Sequence, residues 1–147
     1  MNFYKKHKPT SVLIAGCGRF GSYLASSLSK KGYDVTIIDK DETAFRRLHD
    51  EFSGFQICGD ASDLDKLCEC GIETCDIVLV ATDNDNVNCM IAQIANIIFH
   101  IDQVYIRLND TDKEDLLEGT SIKAIYPARL SVAAFEQISN IQLEKVK

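Results

Sequence analysis

The sequence contains no long hydrophobic run and no excess of positive charge, and both absences exclude whole classes of protein. No apolar stretch in its 147 residues reaches the roughly 20 residues that a membrane-spanning helix needs, and the N-terminal MNFYKKHKPT lacks the apolar centre of a secretion signal. The formal net charge is −6, whereas a protein that binds the phosphate backbone of nucleic acid needs a basic face. We therefore predict a cytosolic protein that neither inserts into a membrane nor binds nucleic acid.

Catalytic and metal-binding motifs are also lacking. The three histidines, His7, His49 and His100, have no partner motif that would suit proton transfer. The six cysteines form no CxxC pair, and we interpret them as reduced thiols. Three of them lie in CECGIETC, residues 68–75, without an evident fourth ligand, and cysteines two residues apart on a helix point to different faces. We predict no catalytic residue and no metal site.

The composition, 46% hydrophobic and 26% charged, is that of a folded globular domain. Short runs rich in valine and isoleucine alternate with helical patterns, and uninterrupted apolar strands are typical of a sheet that is covered on both faces. This alternation predicts parallel strands with right-handed crossovers, and hence a single α/β domain with a Rossmann-like, doubly wound parallel sheet. The predicted strands are 11–16, 34–39, 55–58, 76–81, 103–108 and 122–126.

Three long helices are predicted at about 19–31, 84–99 and 128–142. Gly32 would end the first as a left-handed stop, and Pro127 suits the first turn of the last. The domain would span 11–142, between a basic leader of residues 1–10 and a tail of residues 143–147. The expected buried faces of the first two helices are Phe20, Tyr23, Leu24 and Leu28, and Val87, Met90, Ile91, Ile94, Ala95 and Ile98.

The sequence GCGRFG follows the first predicted strand directly and opens the first predicted helix. Gly16 permits a tight turn, Gly18 allows the backbone to approach a pyrophosphate, and Gly21 lets the helix pack closely on the strand. Phosphates would bind free backbone N–H groups at the positive end of the helix dipole. Arg19 either folds over these phosphates or points to solvent, and the residues alone leave both open.

Asp39 ends the second strand, where an acid accepts hydrogen bonds from ribose hydroxyls and repels a 2′-phosphate. The predicted ligand is therefore NAD(H) or an adenine nucleotide rather than NADP, although Lys40 beside it could soften that exclusion. The competing interpretation is that the glycines only form a turn and that Asp39 caps a helix at 41–52.

Two further polar segments, GDASD and ATDND, end the third and fourth strands at the same rim. Asp60 either caps the following helix, with Asp63 favouring the N-terminal end of its dipole, or contacts the adenosine. Thr82 and Asp83 are available as polar contacts or as caps.

With GCGRFG, IDKD, GDASD, DIVLVATDND and VYIRLND in this order, residues 10–140 resemble the nucleotide-binding N-lobe of the regulator-of-potassium-conductance family, and specifically that of Trk/Ktr-type potassium-uptake subunits. The resemblance implies a cytosolic Rossmann fold that binds NAD(H) or ATP/ADP. It also implies a homo-oligomer, a dimer or a ring of dimers, on a potassium-translocating membrane protein whose gate the bound nucleotide biases.

The same resemblance implies a set of binding residues. Arg107 matches an arginine that reaches nucleotide phosphates. Glu118 lies near a position of cation coordination in some members, but its spacing to Pro127 is one residue short. The implied binding residues are Gly16, Cys17, Gly18, Arg19, Phe20, Gly21, Asp39, Lys40, Asp60, Ala61, Ala81, Thr82, Asp83 and Arg107.

The sequence departs from the family pattern in one respect, because it shows no counterpart of the smaller C-terminal lobe into which family members usually continue. We predict a regulatory, non-enzymatic nucleotide sensor; the alternative is a small NAD-dependent oxidoreductase that uses a partner chain for its substrate. An apolar stripe late in the chain would either dock on a partner subunit or cover the chain's own sheet. This stripe consists of Leu130, Ala134, Phe135, Ile138 and Ile141.

Overall fold

The computed structural model, which describes residues 8–144, contains one sheet of six parallel strands in the order β3-β2-β1-β4-β5-β6. The chain runs outward from β1 to β3, returns to place β4 beside β1, and then runs outward to β6. This arrangement confirms the predicted doubly wound, Rossmann-like sheet. The strands are β1 (Ser11–Ala15), β2 (Asp34–Asp39), β3 (Phe55–Cys58), β4 (Ile77–Val80), β5 (Gln103–Arg107) and β6 (Lys123–Ile125).

The sheet is covered on both faces, as its apolar strands predict. Successive residues of β1 point to opposite sides, so that Leu13 belongs to one hydrophobic cluster whereas Val12 and Ile14 belong to the other. The first α-helix contributes Leu24 to the cluster on one face, and the third contributes Ile91 to the cluster on the opposite face. Because burial excludes water from both faces, β1 lies in the interior of the fold.

The helices are shorter than predicted and are divided more finely. Gly32, with φ +91°, follows the first helix and supplies the predicted left-handed stop. The α-helices are α1 (Arg19–Lys30), α2 (Leu64–Glu69), α3 (Asp85–Gln93) and α4 (Pro127–Ser139). Shorter 3-10 helices cover Glu42–Arg47, Ile72–Thr74 and Thr111–Leu117. The continuous helix that the competing interpretation placed at 41–52 is therefore absent from this segment.

Three residues that were predicted to be buried are exposed instead. Tyr23 is 65% exposed because it lies at the margin of the α1 stripe. Its ring contacts that of His49 edge-on. Met90 and Ile98 are also exposed. The segment Ile94–Ile98 forms a π-helical turn, whose wider spacing rotates Ile98 off the stripe that a regular helix would bury.

The last helix, α4, packs on no part of the sheet. None of its residues is buried, and Leu130, Phe135 and Ile138 are 61%, 49% and 84% exposed. The interpretation that this stripe covers the chain's own sheet is therefore wrong. Pro127 occupies the first turn as predicted, and Asn140, with φ +58°, ends the helix earlier than residue 142. Among residues 8–144, no helix has both the length and the apolar character that crossing a bilayer requires.

Candidate functional site

A cavity of about 550 Å³ lies at the carboxyl ends of the central strands. It is lined by all the predicted binding residues except Arg19, Phe20 and Gly21, and additionally by Ile38, Asp41, Ala44, Arg47, Gly59, Asn84 and Val87. Parallel strands bring their carboxyl ends to one edge of a sheet, so segments that are far apart in sequence meet there. The basic leader, including His7, lies outside the described residues apart from its last three positions.

The glycine loop joins β1 to α1 at the floor of this cavity. Gly16 has φ +105°, and a Cβ there would lie 2.5 Å from the carbonyl oxygen of Ala81, which directly follows β4. A Cβ on Gly21 would lie 1.9 Å from the carbonyl oxygen of Gly16. Gly18 differs, because a Cβ there would meet no atom within 4 Å. Gly16 and Gly21 thus allow close packing, whereas Gly18 leaves open space at the start of α1.

Asp39 holds this loop against the end of β2. One carboxylate oxygen accepts a hydrogen bond from the backbone N–H of Cys17 at 2.7 Å, and the other accepts one from Asp41 at 2.8 Å. Asp41, rather than Asp39, caps the following 3-10 helix by accepting from Thr43. Each carboxylate oxygen has a second lone pair, so Asp39 can still accept hydrogen bonds from ribose hydroxyls.

Lys40 and Asp60 form an ion pair across the cavity rim, with 3.5 Å between Nζ and Oδ2. The hydroxyl and backbone N–H of Ser62 lower the pKa of Asp60, and Lys40 adds to this effect. Asp60 was one expected cap of α2, but Asp63 caps this helix instead, by accepting a hydrogen bond from the backbone N–H of Asp65. Since Lys40 is paired with a carboxylate, it offers little compensation for the repulsion between Asp39 and a 2′-phosphate.

The opposite wall consists of the ends of β4 and β5. The guanidinium of Arg107 donates a hydrogen bond to the carbonyl oxygen of Thr82 at 3.0 Å, while its buried Nε has no partner among the described residues. Asp83 is exposed at the rim, and Asn84 caps α3 by accepting from Val87. Arg107 therefore brings positive charge to the cavity.

The arginine that lines the cavity beside the glycine loop is not the predicted one. Arg19 is exposed and does not line the cavity. Arg47 does line it, and donates a hydrogen bond to the carbonyl oxygen of Cys17 at 3.4 Å. Sequence reasoning missed Arg47 because it lies in the 3-10 segment after β2, where only the tertiary fold turns the side chain toward the loop.

Cys17 is buried in the loop, and its thiol donates to the carbonyl oxygen of Ala44 at 3.4 Å. Burial and the nearby Asp39 carboxylate raise the pKa of this thiol to about 11. A thiol that stays protonated at neutral pH is a poor nucleophile. Burial also raises the pKa of Cys70 to about 11, and Cys70 packs in the hydrophobic core. Within residues 8–144, no group of three or more His, Cys, Asp or Glu side chains has a metal-binding arrangement.

The family model of the TrkA-N domain matches residues 12–127. The chain belongs to the TrkA-N family. The Trk system potassium uptake protein TrkA of Streptomyces coelicolor is 35% identical over 118 residues, which are 80% of this chain and 53% of that protein. The TrkA homolog of Methanothermobacter thermautotrophicus is 31% identical over 128 residues, which are 86% of this chain and 59% of the homolog. This TrkA-N chain thus spans little more than half the length of these curated relatives.

Solved structures of other proteins share the fold of this TrkA-N chain. The TrkA-N domain of the inner membrane protein ybaL from Escherichia coli has a TM-score of 0.78 at 16% identity, covering 90% of this chain and 98% of that one. The GsuK channel bound to NAD has a TM-score of 0.74 at 20% identity, covering 90% and 24%. The same scores hold for GsuK bound to ADP, of which 35% is covered. At such low identities these likenesses show the fold alone.

Proposed function

We propose that this chain is a cytosolic nucleotide-binding domain that regulates potassium uptake, with NAD(H) or ATP/ADP held in the cavity at the carboxyl ends of the strands. The observation that carries the proposal is the open space at Gly18, at the start of α1, beside the carboxylate of Asp39. The NAD and ADP named for GsuK, and the potassium uptake named for the TrkA relatives, support it.

The diphosphate would lie over Gly18, where free backbone N–H groups and the α1 dipole favour negative charge. Arg47 and Arg107 line the cavity from different walls and supply the positive charge. The ribose hydroxyls would bind Asp39, and the adenosine would extend toward Asp60. In this proposal Arg47, rather than the Arg19 considered from the sequence, contacts the phosphates.

A regulatory role fits the side chains that line the cavity. Among residues 8–144 no histidine lines it, and the thiol of Cys17, with a pKa of about 11, stays protonated at neutral pH. General acid–base chemistry uses a group that titrates near the working pH. The bound nucleotide would therefore act by its differential affinity for two conformations, and would shift their populations without being consumed.

The regulatory domain would act on a potassium-translocating membrane protein as a homo-oligomer, a dimer or a ring of dimers. Its body is residues 11–142, and α4 would supply the contact with a second copy of the chain. The exposed apolar residues of α4, among them Leu130, Phe135 and Ile138, support this assignment, because such a helix face is usually covered by a partner.

Mass spectrometry of the nucleotides released from purified, denatured protein tests the proposal and chooses between NAD(H) and ATP/ADP. The expected result is one adenine nucleotide that also raises the melting temperature when it is added back. At a concentration 100 times its Kd, it would stabilise the fold by about 2.7 kcal/mol. Absence of binding by every adenine nucleotide would refute the proposal.

Incubation with NADH separates a sensor from an oxidoreductase. A sensor leaves the absorbance at 340 nm constant in the presence of candidate acceptors. Steady loss of that absorbance, proportional to the protein concentration, would instead establish hydride transfer and contradict the regulatory assignment.

A further inference from the structure

The side chain of Asn88, in α3, is fully buried and does not line the cavity. Its Oδ1 accepts a hydrogen bond from the backbone N–H of Thr82 at 3.0 Å and another from the Thr82 hydroxyl. Its Nδ2 donates to the carbonyl oxygen of Thr82 at 3.1 Å and to that of Arg107 at 3.0 Å. All four hydrogen-bonding positions of the amide are therefore filled.

The partners of Asn88 determine which end of its amide is oxygen. A backbone N–H can only donate and a carbonyl oxygen can only accept, so exchanging Oδ1 and Nδ2 would leave three of the four contacts unpaired. An aspartate has the same shape but cannot donate when it is ionised. The position thus requires the two donors of an amide and not only the volume of the side chain.

Asn88 acts where the sheet stops pairing. The ladder between β4 and β5 ends with the pair Val80 and Ile106, one or two residues before the groups that Asn88 binds. The side-chain amide of Asn88 therefore links the two chain segments by hydrogen bonds beyond the last backbone pair of β4 and β5. The Thr82 carbonyl also accepts from the guanidinium of Arg107, so Asn88 forms one closed network with the two cavity-lining residues Thr82 and Arg107.

We propose that Asn88 is a positioning residue of the nucleotide site, which holds Thr82 and the guanidinium of Arg107 in the geometry that receives the phosphates. The inference rests on the proposed function, because it concerns the same cavity. Without the Asn88 amide, the carbonyl oxygens of Thr82 and Arg107 each lose a donor, and the Thr82 oxygen keeps only its contact with the Arg107 guanidinium. The carbonyl that orients this guanidinium would then be held less firmly.

The test compares Asn88→Asp with Asn86→Asp by measuring ADP affinity calorimetrically. Asn86 is exposed on the same helix, so both variants add one negative charge near the N-terminus of α3. Asn88→Asp is expected to weaken ADP binding by about tenfold or more, whereas Asn86→Asp leaves it within about twofold. If the wild type binds ADP and both variants bind it equally well, the inference fails and the proposed function stands. If the wild type binds no adenine nucleotide, the proposed function itself fails.

Two further measurements separate positioning from a general loss of structure. Adenosine, measured by competition against a labelled adenine nucleotide, lacks the phosphates and should lose less than about twofold in affinity for Asn88→Asp. In a double-mutant cycle, Asn88→Asp should cost little additional ADP affinity in a chain that already carries Arg107→Gln, because both act through one guanidinium. Equal losses for adenosine and ADP, or full additivity in the cycle, would overturn the proposal.

If the buried aspartate prevents folding, Asn88→Ser replaces Asn88→Asp in the double-mutant cycle. Serine introduces no charge and retains one donor instead of two, and its thermal melt shows whether the fold persists. A folded Asn88→Ser that binds ADP as tightly as wild type would also overturn the proposal.

Discussion

At the scale of single residues, Gly18 and Gly21 lie three positions apart in surroundings that differ completely. A Cβ at Gly21 would collide with a backbone carbonyl, whereas one at Gly18 would enter open space. We expect Gly21→Ala to lower the free energy of unfolding by about 2–4 kcal/mol, because backbone must move to admit the methyl group.

Gly18→Ala serves as the matched partner of that variant. Its backbone conformation is ordinary, so alanine should change the free energy of unfolding by less than about 1 kcal/mol. Its methyl group would nevertheless occupy the space that the phosphates require, and ADP affinity should fall about tenfold. Urea denaturation and calorimetry check both effects. Unchanged ADP affinity in Gly18→Ala would contradict the proposed phosphate position.

Asp39 is predicted to have two roles, holding the glycine loop and binding the ribose, and one substitution tests both. Asp39→Asn preserves the shape but turns an amide toward one of two backbone N–H donors, so the free energy of unfolding should fall by about 1–3 kcal/mol. Adenine nucleotide affinity should fall as well, because a ribose hydroxyl loses an anionic acceptor. Asp34→Asn, at the exposed start of the same strand, is the control for both measurements. A variant that keeps wild-type stability and affinity would refute this account of Asp39.

At the scale of elements, aspartates at the ends of strands hold neighbouring segments together. Asp76 precedes β4 and accepts from the backbone N–H of Ser11 at 2.8 Å and from its hydroxyl at 3.1 Å, which ties the starts of β4 and β1. These two hydrogen bonds, the backbone one first, lower the pKa of the Asp76 carboxyl in the folded protein. Its contribution to stability is therefore present above the ordinary pKa of 3.8 and is lost as the pH falls through the lowered value.

Asp76→Asn should consequently flatten the acid limb of the stability profile. The variant has no carboxylate to protonate, so the free energy of unfolding should fall less between pH 6 and about pH 2.5 than it does in wild type. Urea denaturation at both pH values measures this difference. Asp50→Asn, an exposed aspartate elsewhere, is the control. Parallel pH profiles for wild type and Asp76→Asn would show that this contact contributes nothing.

The boundaries of the helices could be predicted from local sequence patterns only in part. Gly32 and Pro127 act through their own backbone geometry, and both bound helices as predicted. The π-helical turn at Ile94–Ile98 depends on how the end of α3 meets the sheet, and no local residue signals it. Asp41 and Asp63 cap helices that Asp39 and Asp60 were expected to cap, since a shift of two or three residues in a turn changes which carboxylate reaches the free N–H groups.

At the scale of the whole molecule, α4 is predicted to be an interface. Ile138→Asp places a charge in the most exposed part of its apolar stripe and should raise the dissociation constant of the homodimer at least about tenfold. Sedimentation velocity over a range of concentrations measures this change. Gln137→Asp adds the same charge to a neighbouring exposed position of the helix and should leave the dimer intact. A wild-type chain that stays monomeric at all concentrations would refute the assignment of α4.

The sequence by itself determined the strand order along the chain, the parallel sheet and the rim that carries most of the site. These features follow from apolar runs, glycine geometry and strand ends, which are properties of contiguous residues. Only the tertiary structure decided that Arg47 rather than Arg19 lines the cavity, that α4 lies free of the sheet, and that Asn88 connects Thr82 to Arg107. Each of those outcomes depends on how remote segments meet in space, and no short sequence pattern encodes such a meeting.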